Sequence, residues 1–419
     1  MERLTFQELQ ERPGTTKQIA EMSGISAGEV LLQLAELNER VRLQLGYKKD
    51  PITAIGSDTW KVDGVAGVLR LNSIVELEVV PKFLDPSNPT WRTDFFLLAV
   101  LAKTGHLFLH DEISAATQER GDLATLIAMS LLDSHAENRR RPIRGYRRRR
   151  RLDFSIDGDV DWETIFLPDA DGFAVSGLEL TRQNPYNATL AAAAQILSPE
   201  VPDADTQSQL VQLARQLSPQ TGVPTTFPPL TPRHQSWQQA YDLARLVIEG
   251  LGLNLDDGSF SGPGFILSTW SAWESLCEEL LRRALPDMSV EGQHEWLLGH
   301  RGTENIVVKP DISPMENGTA QFLLDAKYKT RLGRTPVINA TDLYESLAFL
   351  QAAEADIMYL LYPAISSPSD LALGEWRRFD RITVDYMAVE GYEVQIQGLS
   401  QTGAFDRLVD GVRRALYGR

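Results

Sequence analysis

The C-terminal part of the chain contains two apolar patterns, one with the period of a helix and one with the period of a strand. Helical spacing predicts a long helix over Phe265–Ala284, a second over Asn339–Ala352 and a third over Ala404–Tyr417. Helices that alternate with strands predict an α/β core here. The strand-like runs that follow the second helix are Ile357–Tyr362, Ile382–Met387 and Tyr392–Gln397.

A β-hairpin is predicted between the first two of these helices. Its arms are Asn305–Ser313, which is rich in Ile and Val, and Gln321–Tyr328, which alternates in polarity. Asn317 and Gly318 lie between the arms and favour a tight turn, because both tolerate positive φ. A three-residue loop that also includes the following threonine would place one aspartate of each arm directly opposite the other.

Those aspartates are Asp311 and Asp325. Side chains two positions apart on a strand share a face, so Lys327 is expected beside Asp325. Two carboxylates can hold Mg²⁺ or Mn²⁺, and such a cation polarises a phosphate and lowers the pKa of an attacking water. A lysine next to them can orient that water and offset the charge that builds on phosphorus. The pattern predicts metal-assisted hydrolysis of a phosphodiester.

These residues resemble the PD-(D/E)xK nuclease motif, which reads here Pro310-Asp311 and then Asp325-Ala326-Lys327. The resemblance implies a restriction-endonuclease-like α/β core, in which a glutamate on the first core helix completes the metal site. Glu274 is the expected third ligand, because it lies beside the apolar stripe of the predicted helix. Glu278 and Glu279 on the same helix are the alternatives. The competing interpretation is a surface hairpin with scattered, solvated charges.

The N-terminal part of the chain is predicted to be α+β. Thr16–Leu37 has the spacing of two short helices around Gly24, as in a helix-turn-helix. The second helix, Ser26–Leu37, contains no Lys or Arg, whereas a major-groove reader presents basic or amide side chains. We therefore interpret it as a structural helical hairpin. Thr53–Lys82 alternates as β-structure, and Trp91–His106 is predicted to be an apolar helix.

An unusual run of arginines follows a helix predicted at Leu123–Ala136. Arg139–Arg151 contains nine arginines in thirteen positions, and the sequence after it suggests a strand-rich arm. Such a run is typical of a nucleic-acid patch or of a segment that docks on an acidic partner. A solvated loop is the alternative. The arginines expected to contact a partner or DNA are Arg144, Arg147, Arg148, Arg149 and Arg150.

Composition narrows the function further. The 419-residue chain has a net charge of −16, which argues against a surface built to grip DNA phosphates unaided. A single cysteine, Cys277, excludes an internal disulfide and is typical of a cytoplasmic protein. No apolar run is long enough to predict a transmembrane helix, and no GxxxxGK[ST] motif predicts a nucleotide site. Any nucleotide-driven step must therefore depend on another chain.

Several segments match, in their residues and their order, the pattern of one known family. They are Gly67–Phe83, the arginine run with Gly158–Asp161, Asn187–Leu190, Leu230–Gln235, Pro310-Asp311, Asp325–Lys329 and Asp342–Tyr344. Together these segments resemble the McrC family, the nuclease subunit of McrBC-type modification-dependent restriction systems. Two positions depart from the family pattern: Asp159 stands where an arginine is usual, and Glu345 where a glutamine is usual.

The resemblance implies a partner of the McrB type, an AAA+ motor that forms a hexameric ring and is usually driven by GTP rather than ATP. It also implies that the N-terminal half engages this motor and stimulates nucleotide hydrolysis, while the C-terminal half cuts double-stranded, modified DNA. Two other functions remain open. One is a non-catalytic adaptor with a relic nuclease fold, and the other is a PD-(D/E)xK nuclease of a different defence system.

The expected architecture is therefore a multidomain chain of α/β and β-rich parts. Residues 1–180 are expected to form an α+β partner-binding region that carries the basic arm at 139–151. Residues 181–250 are expected to form a helical connector, with helices at Asn187–Leu197, Asp205–Leu217 and Trp237–Gly250. Residues 251–419 are expected to form the PD-(D/E)xK nuclease domain.

Overall fold

The computed structural model describes residues 2–105, 123–155, 158–166, 168–217, 224–250, 265–329, 337–365 and 371–417. None of the helices within these ranges is long and apolar enough to cross a membrane. The residues group into two compact units, one formed by Met1–Leu123 with Leu253–Arg419 and the other by Ala124–Gly252. The second unit is therefore an insertion between two parts of the first.

The first unit contains a helical hairpin near its start. Helix α1 (Thr15–Ser23) ends at Gly24, which has a φ of 66°. Helix α2 (Ala27–Leu45) begins at Ser26, whose side chain accepts a hydrogen bond from the backbone of Glu29. The helices pack on a core that includes Leu37 and Trp60. The structural hairpin expected from the sequence is thus present.

Strands next to this hairpin form two sheets. Strands β2 (Glu11–Arg12), β3 (Ile52–Ile55) and β4 (Thr59–Val62) form a small sheet of order β2-β4-β3. The larger sheet contains β1 (Glu2–Gln7), β5 (Val65–Arg70), β6 (Val75–Val80) and β10 (Phe265–Ser268). Its order is β1-β6-β5-β10, and β1 runs parallel to β6. Helix α3 (Trp91–Thr104) follows β6 and confirms the helix predicted from Trp91, whose predicted end at His106 lies outside the described residues.

The position of β10 corrects the prediction of one helix over Phe265–Ala284. Its four residues pair antiparallel with β5, and helix α9 (Thr269–Ala284) begins only after them. The side chain of Ser268 accepts a hydrogen bond from the backbone of Ser271 and so caps the helix. Strand β10 thus completes a sheet whose other strands come from the N-terminal part of the chain.

The C-terminal part of the first unit is built around a seven-stranded sheet. Its main order is β11-β14-β16-β17-β19-β18, with β15 paired to β14. Strand β16 runs parallel to β17 and antiparallel to β14. The strands are β11 (Ser289–Gly292), β14 (Ile312–Glu316), β15 (Thr319–Ala320), β16 (Leu323–Ala326), β17 (Ile357–Pro363), β18 (Trp376–Val384) and β19 (Met387–Val394).

Helices accompany this sheet in a regular order. Helix α9 precedes the antiparallel strands β11, β14 and β16, and helix α10 (Ala340–Ala353) then leads into the parallel strand β17. Helix α11 (Ala404–Tyr417) follows β19, as expected from the sequence. Leu323, Leu350 and Met358 belong to the buried core between these elements. The mixed α/β architecture predicted for this part is therefore present.

The observed strand bounds in this region differ from the predicted ones in two places. The arm predicted at Asn305–Ser313 is divided, because β13 (Glu304–Val308) pairs with β12 (Trp296–Arg301) in a separate two-stranded sheet. The strand predicted at Ile382–Met387 ends at Val384 as β18, and the strand predicted at Tyr392–Gln397 begins earlier, at Met387, as β19. They meet at a tight turn in which Asp385 has a φ of 52°, a conformation that an apolar pattern does not reveal.

The second unit, Ala124–Gly252, combines helices with an exposed three-stranded sheet of order β7-β9-β8. The sheet consists of β7 (Gly145–Asp153), β8 (Asp159–Val160) and β9 (Phe173–Thr181). It confirms the strand-rich arm expected after the arginine run. The helices are α4 (Leu123–Asn138), which begins at the boundary of the unit, α5 (Trp162–Ile165), α6 (Pro185–Leu197), α7 (Ala204–Leu217) and α8 (Gln238–Gly250).

Candidate active site

The strand register places Asp311 opposite Asp325. Ile312 of β14 pairs with Leu324 of β16, and in an antiparallel pair the next residues outward face each other. The turn itself differs from the prediction, because Glu316 pairs with Thr319 across a two-residue loop. An irregularity between the turn and Leu324 restores the register, so the two carboxylates still meet.

The side chain of Asp311 is fixed by two hydrogen bonds. Its Oδ2 accepts from the backbone N–H of Ala326 at 2.8 Å, and its Oδ1 accepts from Nε2 of Gln293 at 2.9 Å. The backbone N–H of Gln293 also donates to the carbonyl of Asp311. The carboxylate is therefore held between the end of β16 and the residue that follows β11.

Asp325 is buried, with 5% of its surface exposed. Burial raises the pKa of Asp325 to about 7. The neighbouring Asp311 adds to this shift in pKa, because it accepts a hydrogen bond from the protonated form of Asp325 and repels the ionised form. Lys327 opposes the shift through an ion pair with Asp325 Oδ2. Two acidic groups thus share one site with a single adjacent ammonium, and the site favours an additional positive charge or a proton.

Lys327 lies at the end of β16, with 11% of its side chain exposed. Burial by itself lowers the pKa of Lys327, but Asp325 and Glu345 outweigh that effect and raise it. Its Nζ donates to Glu345 Oε2 at 2.7 Å and lies 3.9 Å from Asp342 Oδ1. The lysine is therefore present as an ammonium that is surrounded by carboxylates.

Glu274 reaches the site through an intermediary. Nε2 of Gln293 donates to Glu274 Oε1 at 2.8 Å as well as to Asp311. Burial raises the pKa of Glu274, while Gln293 opposes the shift. The two alternatives on helix α9 are engaged elsewhere, since Glu278 pairs with Arg282 and Glu279 with Arg283.

Gln293 belongs to this site although no sequence motif includes it. It follows β11 with a φ of 52° and joins Asp311 to Glu274, which are remote from it in sequence. A glutamine in a short polar segment carries no periodic signal. Its role becomes visible only when β11 is placed beside β14 in the sheet.

Helix α10 supplies two further carboxylates. Asp342 is fully buried and accepts hydrogen bonds from Lys329 and from the hydroxyl of Tyr362, the latter at 3.1 Å. Asn339 caps the helix by accepting a hydrogen bond from the backbone N–H of Asp342. Because the cap fixes the first turn, Asp342 and its neighbours face the lysines at the end of β16.

The donor set agrees in part with a divalent cation. Within the described ranges, no three His, Cys, Asp or Glu side chains form a group that could hold a metal ion. Asp311 and Asp325 nevertheless provide adjacent carboxylate oxygens, and Mg²⁺ commonly binds one or two carboxylates and keeps several waters. The aspartate pair therefore fits such an ion, whereas Glu274 is linked to the pair through Gln293.

Comparison with known proteins identifies the family. A family model described as McrBC 5-methylcytosine restriction system component matches residues 60–363. The chain belongs to the McrBC family. No curated protein sequence matches the chain.

Two solved structures resemble this McrBC-family chain. One is described as a refined half-complex from a tetradecameric assembly of Thermococcus gammatolerans McrB AAA+ hexamers with bound McrC. Its matching chain has a TM-score of 0.69 and 16% identity, over 99% of this chain and 100% of that one. The other, the McrBC complex of the same organism, has a TM-score of 0.50 and 16% identity, over 68% and 88% of the two chains. At this identity the likeness concerns the fold.

The second candidate region of the McrBC-family chain is the arginine hairpin, which we define as β7 and β9. The expected contact residues Arg144 and Arg147 to Arg150 are all exposed. Three of them pair with acids of the same sheet. These ion pairs are Arg148 with Asp159, Arg149 with Glu179 at 3.2 Å and Arg150 with Asp161 at 2.7 Å.

These pairs change the interpretation of two sequence features. Asp159, which replaces the arginine usual in the McrC pattern, provides the carboxylate for Arg148. Three of the arginines therefore have counter-charges within this unit, from Asp159, Glu179 and Asp161. Large apolar side chains are exposed on the same sheet, including Tyr146 and Leu178, at 68% and 72%. The hairpin therefore presents a mixed surface of arginines, some of them ion-paired, and apolar side chains.

Proposed function

We propose that this chain is the nuclease subunit of an McrBC-type restriction complex that protects against foreign DNA. It acts as a metal-dependent endodeoxyribonuclease, with Mg²⁺ as the cofactor and Mn²⁺ as a substitute. Its substrate is double-stranded, modified DNA. The observation that carries this proposal is the position of Asp311 opposite Asp325, with Lys327 paired to the second carboxylate.

Each side chain has a chemical role in the hydrolysis of a phosphodiester. A divalent cation held by Asp311 and Asp325 would supply Lewis-acid polarisation of the phosphate and a more acidic water. The hydrogen bonds from Ala326 and Gln293 fix the Asp311 carboxylate before substrate arrives. Lys327 offsets the negative charge that develops on phosphorus and orients the attacking water. Glu274, joined to Asp311 through Gln293, adds a third carboxylate beside this pair.

The order of the elements supports the same function. The order expected of a restriction-endonuclease-like core is a helix, two strands, a second helix and a further strand. Helix α9, strands β14 and β16, helix α10 and strand β17 follow that order, with additional strands between α9 and α10. The motif residues lie on β16 or directly next to β14 and β16. Fold alone does not establish activity, so the support lies in the combination of topology and site.

The proposed partner is an AAA+ motor of the McrB type, assembled as a hexameric ring. In the similar solved structure, McrC is bound to McrB AAA+ hexamers. A motor that holds the DNA also accounts for a nuclease subunit with a net charge of −16. We propose that the exposed arginine hairpin is the part of this chain that contacts the motor.

A non-catalytic adaptor is the second candidate function. It is favoured by the finding that no metal-binding group of three His, Cys, Asp or Glu residues occurs within the described part of the chain. An adaptor would stimulate nucleotide hydrolysis by the motor without cutting DNA. The two candidates therefore differ in whether the Asp311–Asp325 pair is needed for any measured activity.

The test uses the full chain with its AAA+ partner, Mg²⁺, nucleotide and modified plasmid DNA. Asp325→Asn and Lys327→Ala should each reduce cleavage by roughly 10²–10³-fold or more, because each removes charge stabilisation from the transition state. Lys17→Ala is the matched control, since it breaks an exposed ion pair with Glu21 on α1. Full cleavage by either site variant contradicts the nuclease. Stimulated hydrolysis without cleavage by the wild-type complex would establish the adaptor.

A further inference from the structure

The ammonium group of Lys327 is held from two sides. Asp325, on the same strand, contacts it through Oδ2, and Glu345, on helix α10, accepts a hydrogen bond from it at 2.7 Å. Asp342 Oδ1 lies farther away, at 3.9 Å. An ammonium group carries three N–H bonds, so two carboxylate contacts leave one N–H available for a further acceptor.

The helix that carries Glu345 is itself fixed against this strand. Asp342 lies one helical turn before Glu345 and is fully buried, where it pairs with Lys329 and accepts from Tyr362 of β17. Two carboxylates on α10 therefore face two lysines, Lys327 and Lys329, at the end of β16. Asp342, which pairs with Lys329, is fully buried, whereas Glu345, which pairs with Lys327, is partly exposed.

The exposure of Glu345 indicates that its ion pair with Lys327 contributes little to the stability of the fold. Its side chain is 46% exposed, whereas that of Lys327 is only 11% exposed. Ion pairs that reach solvent contribute little to folding, since water and salt screen them. The loss of Glu345 should therefore change where the lysine points, while the fold around it remains supported by Asp342.

We propose that Glu345 is a positioning residue that, together with Asp325, directs the remaining N–H of Lys327 towards the scissile phosphate. This inference rests on the proposed nuclease function and assigns to it one further residue. The requirement at position 345 is for an oxygen that accepts a hydrogen bond from the ammonium. A glutamine also provides such an oxygen, so Glu345→Gln should preserve the contact with the ammonium.

The kinetic test compares Glu345→Ala with Glu345→Gln in the full complex with the AAA+ partner, Mg²⁺ and modified DNA. Glu345→Ala should lower kcat about tenfold or more and leave KM unchanged, because positioning acts on the transition state more than on substrate binding. Glu345→Gln should recover most of the rate. Glu295→Ala is the matched control, since Glu295 forms an exposed pair with Lys309 at 2.6 Å.

A second readout does not depend on cleavage. The metal-free full chain is treated with an amine-acylating reagent, and the modification of each lysine is measured by mass spectrometry. Lys327 should react several-fold faster in Glu345→Ala than in the wild type, because one of its two carboxylate contacts is gone. In Glu345→Gln it should react nearly as slowly as in the wild type, and Lys309 provides the internal reference.

The outcomes distinguish this inference from the function on which it rests. If the wild-type complex cuts DNA and Asp325→Asn does not, the nuclease stands. A wild-type rate for Glu345→Ala in that case overturns the positioning role alone, and so does failure of Glu345→Gln to recover the rate. A wild-type complex that cuts no DNA overturns the proposed function, and the positioning role fails with it.

Discussion

The hydroxyl of Tyr328 donates a hydrogen bond to the carboxylate of Glu8, although 320 positions separate the two residues in sequence. The same carboxylate accepts from Thr269 at 2.9 Å and from the backbone N–H of Lys82 at 3.1 Å. The ammonium of Lys82 lies 3.6 Å from the centre of the Tyr328 ring. The residue after Lys327 is thus anchored to the N-terminal sheet.

Tyr328→Phe should destabilise the first unit. The substitution removes one donor from the buried carboxylate of Glu8, and the loss of a hydrogen bond to a charged group costs about 1–3 kcal/mol. Urea unfolding followed by circular dichroism measures this change. Tyr386→Phe is the control, because Tyr386 is 64% exposed and should unfold like the wild type. Equal stability of the two variants would show that the Glu8 contact contributes nothing.

Asp325 should make the metal-free protein less stable as the pH rises. Burial and Asp311 raise its pKa to about 7 in the folded chain, whereas the ordinary value is 3.8. The folded state therefore binds this proton more tightly than the unfolded state between roughly pH 4 and pH 7. Stability from this group is complete below that window and is lost as the pH passes through it.

The measurement compares the wild type with Asp325→Asn, which cannot ionise at this position. Without metal, the unfolding free energy of the variant relative to the wild type should increase from about pH 5 to about pH 8. Added Mg²⁺ should stabilise the wild type at the higher pH and have little effect on the variant, because a ligand stabilises the state that binds it. Parallel pH profiles would contradict the shifted pKa.

The isolated chain should bind duplex DNA weakly and cut it poorly. Its net charge is −16, and arginines of the hairpin are already paired with Asp159, Glu179 and Asp161. Few phosphate contacts release few counterions, so the salt dependence should be shallow. Fluorescence anisotropy of labelled DNA over a series of salt concentrations measures both properties. Tight binding with a steep salt dependence would contradict this expectation.

Charge reversal in the arginine hairpin should weaken the effect of this chain on the motor's nucleotide hydrolysis. Replacement of Arg147 to Arg150 by glutamate should abolish stimulation of the partner's nucleotide hydrolysis in the absence of DNA. The physical reason is that the new carboxylates repel both the acids of the sheet and an acidic docking surface. The nucleotide hydrolysis rate of the partner is measured against added wild-type or variant chain.

A control for folding is available within the same sheet. Arg148→Asp combined with Asp159→Arg exchanges the partners of one ion pair and keeps the net charge of the hairpin. This double variant should retain the β-structure and much of the stimulation. If the charge-reversed chain still stimulates hydrolysis but its complex no longer binds DNA, the hairpin is a DNA contact instead.

Local sequence patterns were sufficient where one element determined the result. The helical hairpin around Gly24 and the helix at Ala404–Tyr417 followed from periodicity and turn residues. Predictions failed where pairing partners decided the structure. Phe265–Ser268 fits a helical pattern, but it pairs with the edge of β5 and forms a strand.

The residues of the candidate site also divide into those that a local pattern predicts and those that depend on distant elements. Asp311, Asp325 and Lys327 were found because their spacing on two strands is a local property, even though the turn between those strands has a different length. Gln293 was not found, because its importance depends on the approach of β11 to β14. Glu345 was noticed only as a departure from a family pattern, and its contact with Lys327 required the placement of α10.

The insertion of Ala124–Gly252 into the first unit also sets the order in which the chain can be completed on the ribosome. Synthesis proceeds from the N-terminus, so the inserted unit is available to fold before β10 emerges to finish the first sheet. Lys327 is synthesised before Asp342 and Glu345, the helix residues that face it. A nascent chain that stops short of residue 340 therefore contains both site aspartates but lacks the helix beside their lysine.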